Sequence, residues 1–167
     1  PNNALSLNVL HPGEIAATAG TSGVIYLVTD QLFSDASQSV NSFAHVNYTP
    51  KEPKIGVLLC INGVGIANAW LKRNLGFPNY KEMNEAISSI SDKLNDLLFF
   101  PFGNGAERML GNKNPGAGFK GINFNLHEKA HLAKAVQEGV AFAFHYGVEK
   151  FKSNELEIKI IKAGYAN

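Results

Sequence analysis

Residues 14–29, EIAATAGTSGVIYLVT, decide how the rest of the chain is read. Two strand-like runs are broken by Gly20-Thr21-Ser22-Gly23, and β-branched and aromatic residues fill the second arm. That pattern predicts a β-hairpin with a four-residue turn. Outward from it, residues 43–48 (FAHVNY) alternate as a third strand would, and Pro50 and Pro53 fix a loop after them. Residues 55–60 are apolar without a break, the signature of a strand covered on both faces, with Cys60 as a small core residue.

After this strand, Asn62-Gly63-Val64-Gly65 opens a helical pattern, with Ile66, Ala69, Trp70 and Leu75 recurring at helix spacing. A second helix is predicted over residues 80–94, with Met83, Ala86, Ile87 and Ile90 on one face. Residues 97–102 form another short apolar run. Residues 103–121, rich in glycine, asparagine and lysine, read as a long irregular loop. The clearest helix runs over residues 126–151 on an apolar stripe of Leu132, Ala135, Val136, Gly139, Val140, Phe142, Ala143 and Tyr146. Asn125 followed by Glu128 has capping-box spacing. Residues 157–162 alternate like a last strand. A meander followed by strands interleaved with helices argues one α/β domain with a layered, mixed sheet flanked by helices.

Composition bounds the function. The 167 residues are 45% hydrophobic and 17% charged with a net charge of +1, enough for one packed core. Fifteen basic against fourteen acidic side chains give no field to gather phosphate backbones, so nucleic acid is not expected as a partner. Neither a membrane span nor a secretory leader is expected, and a single cysteine excludes a disulfide framework and fits a cytoplasmic location. A start at Pro1 rather than Met, and a stop at Asn167 just after a strand-like run, read as a piece of a longer chain.

Each candidate site has a plain structural alternative. The turn Gly20-Thr21-Ser22-Gly23 can form a backbone nest for a phosphate, or serve only as a turn. Gly63-Val64-Gly65 follows a strand and opens a helix but lacks the third glycine of a dinucleotide fingerprint. It can present free N–H groups to an anion, or simply let helix and strand pack closely. His127-Glu128-Lys129-Ala130-His131 matches the HExxH zinc string, with Glu138 or Glu149 as the available third ligand. The cap reading of Asn125 and Glu128 opposes zinc, and no metal ligands are expected. Glu107-Arg108 reads as a structural ion pair or a site pair.

Five segments together resemble one family: PGEIAATAGTSGVIY (12–26), VNSFAHVNYT (40–49), IGVLLCINGVGIANAWL (55–71), PFGNGAERML (101–110) and HEKAHLAKAVQEGVAFAF (127–144). In order and wording they are similar to the sugar kinases of the FGGY family, and most of all to the carboxy-terminal domain of its xylulokinase branch. The resemblance implies a ribonuclease-H-like, actin-like ATPase fold and the use of ATP with Mg2+. It puts Gly20 and Thr21, with Ser22 beside them, on the ATP phosphates, Gly65 on the nucleotide, and Gly164 and Asn167 in the adenosine motif. Ala69 stands where some relatives have a polar side chain, and Tyr165 interrupts the usual run of glycines. HEKAH falls on a helix start.

The resemblance also implies that the catalytic Asp lies upstream of Pro1. Residues 1–167 are then a partial carboxy-terminal domain without the amino-terminal sugar-binding domain and the last helices, inactive alone. D-Xylulose is the implied acceptor, with another sugar or polyol as alternative. A non-catalytic module of the same fold is the other alternative, and a homodimer is admitted.

Overall fold

The computed structural model describes residues 2–90 and 96–165. The hairpin forms as expected: β1 (Glu14–Ala19) pairs antiparallel with β2 (Gly23–Thr29), Ala19 opposite Gly23. β4 (Ile55–Ile61) pairs antiparallel with β2, and the short β3 (Asn41–Ala44) pairs antiparallel with β4. β7 (Ile160–Tyr165) adds parallel to β1, giving a mixed sheet of order β3-β4-β2-β1-β7. The expected third strand thus sits earlier. His45 lies just past the strand, where its carbonyl accepts the Tyr48 N–H at 2.9 Å to start a turn, and its ring packs inward with Nδ1 2.7 Å from the Tyr26 hydroxyl in a buried pair. Burial, then the charge of Lys54, holds that imidazole below its ordinary pKa.

One face of the sheet carries α4 (Lys129–Ser153), the other the short α1 (Asn2–Ser6). Ile15, Ile25, Leu27, Val57, Leu59 and Ile61 form the core under α4, and Cys60 and Leu58 on the opposite face are only half-buried. A second core lies beside the sheet. There α2 (Gly65–Asn74), α3 (Tyr80–Ser89) and β5 (Leu98–Phe102) close on the first half of α4 through Leu71, Phe77, Met83, Phe99, Ala133 and Val136. The start of α3 is fixed by Asn79, whose Oδ1 accepts the Glu82 N–H at 2.9 Å.

Several sequence expectations are corrected by tertiary pairing. The stretch 103–121 is not irregular throughout. It holds a 3₁₀ turn (Glu107–Leu110) and β6 (Gly116–Lys120), antiparallel to β5 in a two-stranded ribbon. The buried side of α2 is Leu71, while Ile66 and Trp70 are 37% and 49% exposed. The stripe of α4 includes Ala133, Gly147 and Phe151, whereas Phe142 and Tyr146 face outward. Its N-cap is Glu128, and Asn125 instead donates its N–H to Asn123 Oδ1. β7 begins three residues later than the alternation suggests, because Lys159 and Ile160 donate their N–H groups to the Gly13 carbonyl. The end of the second predicted helix lies outside the described residues.

α4 approaches β5 so closely that a Cβ at Gly139 would overlap the Phe99 carbonyl oxygen. Gly139→Ala is therefore expected to destabilise the fold by about 2 kcal/mol in urea titrations despite the better helix propensity of alanine. Gly118→Ala, where a Cβ meets nothing within 4 Å, changes little.

Glu14 ties β1 to the segment before it and to β7. Burial alone would raise its pKa. The Leu10 and His11 N–H groups at 2.8 and 3.0 Å and the Lys162 ammonium at 3.0 Å outweigh burial and hold it at about 2, against an ordinary 4.5. A depressed carboxylate stabilises the fold fully above its unfolded value and loses that contribution as pH falls through the folded one. Glu14→Gln should cost about 2 kcal/mol at neutral pH, and the difference should close between pH 4.5 and about 2 in paired thermal melts.

Candidate functional site

The turn after β1 and the start of α2 are built as one unit. Val64, buried and apolar, is the N-cap of α2 and offers no side-chain acceptor. The first donors of the helix go to the hairpin turn instead: Gly65 N–H to Gly20 O at 2.9 Å and Ile66 N–H to Thr21 O at 3.2 Å. Gly65 is required there, since a Cβ would overlap the Gly20 carbonyl oxygen. These contacts give Gly65 a packing role between helix and turn. Its N–H and that of Ile66 are spent within the protein and are not free for an anion.

The same bonds orient the turn. In a trans peptide the C=O and the following N–H point in opposite directions. With the Gly20 and Thr21 carbonyls drawn toward α2, the N–H groups of Thr21 and Ser22 point away from it. Neither has a partner among the described residues, and both residues are exposed. Gly20 closes the turn by donating its N–H to Ser22 O at 3.1 Å. The product is a rigid pair of backbone donors flanked by two hydroxyls, the chemistry of a phosphate nest.

Register brings the expected site residues to one end of the sheet. β1, β4 and β7 run in the same direction, with Gly23 opposite Ile61, Ala19 opposite Gly23 and Gly164 opposite Thr18. Gly20, Thr21, Ser22, Gly65 and Gly164 therefore share the carboxyl end of the sheet, where α/β folds place their ligands. Gly164 is half-buried in β7 and packs near Leu7. Asn167, the other expected adenosine contact, lies outside the described residues.

Other candidates take structural roles. His127 Nδ1 accepts the Asn123 N–H at 3.0 Å, and His131 Nδ1 accepts the Glu128 N–H at 3.1 Å. A neutral imidazole accepting through Nδ1 carries its proton on Nε2, so neither ring turns a lone pair outward to zinc. No cluster of three or more His, Cys, Asp or Glu able to hold a metal occurs among the described residues. Glu107 and Arg108 do not pair with each other. Glu107 accepts from Asn62 Nδ2 at 3.1 Å, and Arg108 donates to Asn41 Oδ1 at 2.7 Å.

Asn62, named in the sequence only as the start of the strand-to-helix motif, also donates to the Asn104 carbonyl and so pins the loop after β5 to the exit of β4. Its only sequence signal is an amide between a strand and a glycine. Burial, followed by the neighbouring Glu107 charge, pushes the Cys60 thiol above its ordinary pKa, which lowers its share of reactive thiolate.

No family model matches the chain. Among characterised proteins, it is similar to the xylulose kinase of Bacillus subtilis, at 26% identity over 160 residues covering 89% of this chain and 29% of that one. It is similar also to the gluconokinase of the same organism, at 28% over 149 residues, 83% of this chain and 28% of that one. The chain thus spans less than a third of the length of these relatives. Among solved structures, the xylulose kinase of Rhodospirillum rubrum superposes with a TM-score of 0.82 at 20% identity, covering 94% of this chain and 31% of that one. The fold is that of the sugar kinases in the actin-like ATPase class. Sequence relatives and topology together support the carboxy-terminal domain of an FGGY carbohydrate kinase as the architecture this chain resembles.

Proposed function

We propose that this chain is the nucleotide-binding part of an ATP-dependent carbohydrate kinase that converts D-xylulose to D-xylulose 5-phosphate. The observation that carries the reading is the pair of unpartnered, outward-pointing N–H groups of Thr21 and Ser22, held by the contact of Gly65 with Gly20. These donors and the two hydroxyls would hold the phosphates of ATP with its Mg2+, and Gly164 and Asn167 would border the adenosine. Bound ATP supplies the phosphoryl group. The chain's own residues bind and orient it and spend no acid–base chemistry. The carboxylate that takes the sugar hydroxyl's proton is expected upstream of Pro1, with most sugar contacts in an amino-terminal domain.

Gluconate or another polyol acid is the second reading, motivated by a gluconokinase relative at 28% identity, level with xylulose kinase relatives at 26–28%. No helix among the described residues is long and apolar enough to cross a membrane. A cytoplasmic enzyme, a homodimer and no nucleic-acid partner complete the proposal.

Titration of the chain with ADP and Mg2+ is expected to shift the Thr21 and Ser22 amide resonances saturably in the millimolar range. Thr21→Ala should weaken binding about five- to tenfold, and Gly65→Val should abolish it by displacing the turn. Unmoved Thr21 and Ser22 amides at millimolar ADP would overturn the nucleotide reading in favour of a non-catalytic module. For the acceptor, a coupled assay of the full-length gene product should give a higher kcat/KM with D-xylulose than with D-gluconate. The reverse order would install the second reading.

A further inference from the structure

The outward face of α2 is apolar where a solvent-facing helix would be polar. Ile66 and Trp70 are 37% and 49% exposed, and together with Ala67 and Arg73 they form one side of a cleft of about 390 Å³. The opposite side is the β5–β6 ribbon, where Phe99 and Phe119 meet with ring centroids 4.7 Å apart and planes tilted by 47°. Gly118 leaves the floor open, since a Cβ there meets nothing within 4 Å. The cleft lies behind the loop that carries Gly65, whose neighbour Gly63 lines it, but Thr21 and Ser22 take no part in it.

Its lining carries few polar side chains: Trp70, Arg73 and Asn104. Among the described residues the Trp70 indole N–H has no acceptor and the Arg73 guanidinium no carboxylate partner, whereas Lys72, the adjacent cation, is engaged over the Tyr80 ring at 4.8 Å. Trp70 and Arg73 are three residues apart and so share a helix face. Asn104 adds one amide across the cleft, and no Asp or Glu lines it. A mostly apolar concavity with a few aimed polar groups is the form of a small-molecule site.

We propose that this cleft binds a flat organic anion, its ring system lying against Trp70 and the apolar floor, its carboxylate or similar group taken by Arg73. A free guanidinium selects the charge, because it forms paired, charge-assisted bonds to a carboxylate. The indole and the apolar floor select the flat body. A sugar is excluded by the same list, since its many hydroxyls would be desolvated against glycine, alanine, isoleucine and phenylalanine with too few partners. The site is independent of the nucleotide reading.

Trp70 is the only tryptophan, so its indole N–H is a single isolated NMR signal. The test titrates the 167-residue chain with 2-naphthoate, with the neutral 2-naphthamide and with D-xylulose, following that signal and the heat of binding. Saturable binding of 2-naphthoate with a moved indole signal is expected, weakened about tenfold or more for the neutral amide and in Arg73→Met, and lost in Gly118→Val. Thr21→Ala should leave it unchanged, which separates its failure from failure of the nucleotide site. Arg73 is exposed, so Arg73→Met keeps the test valid if Gly118→Val does not fold. An unmoved indole signal, equal binding of acid and amide, binding that survives Arg73→Met undiminished, or preference for D-xylulose would each overturn the proposal.

Discussion

The closeness with which α4 lies against β5 sets everything else in this fold. Gly139 admits the Phe99 carbonyl where any side chain would exclude it, and the helix spans both cores, Ala133 and Val136 in one, Val140, Ala143 and Phe151 in the other. With β5 fixed, its Pro101 carbonyl presses on Gly63, and two residues later Gly65 rests on the Gly20 carbonyl. A series of glycine-to-carbonyl contacts thus runs from the longest helix to the hairpin turn. None of the three positions tolerates a Cβ without moving backbone, which transmits the placement of α4 to the site as a steric constraint.

At the end of that series the backbone does what charged side chains do elsewhere. The protein carries a net charge of only +1 and shows no basic cluster at the turn. The turn's carbonyls satisfy the α2 donors that Val64 leaves uncapped, and the adjoining N–H groups are forced outward by peptide planarity. One pair of hydrogen bonds therefore caps the helix and turns two backbone donors outward together.

The hairpin, β4, α3 and α4 were legible because local periodicity and burial agree there. The residues that missed are those whose fate is set by distant partners. β6 is glycine-rich and without a β-branched run, so only its pairing with β5 makes it a strand. Ile66 and Trp70 carry the spacing of a core face, yet the core takes Leu71, and the ribbon stands off far enough to leave a cleft. At the site, the segments Gly20–Gly23 and Gly63–Gly65 could be named from sequence. Which N–H groups are spent and which are free could not, because that depends on the contact between them.

The magnitude of the turn's donors bears on how such a domain must work. Two backbone N–H groups and two hydroxyls, each worth about 1 kcal/mol net when exposed to water, sum to about 4 kcal/mol. That corresponds to a millimolar dissociation constant, too weak to hold a nucleotide through a reaction. The same donors become far stronger when water is excluded, since the competing solvent bonds and the high dielectric are both removed. Thr21 and Ser22 are exposed at the open end of the sheet, so exclusion requires a second surface closing over them. On the proposed nucleotide reading, a weakly binding platform would position the ligand without trapping it, and binding would become strong only in a closed state where transfer could occur.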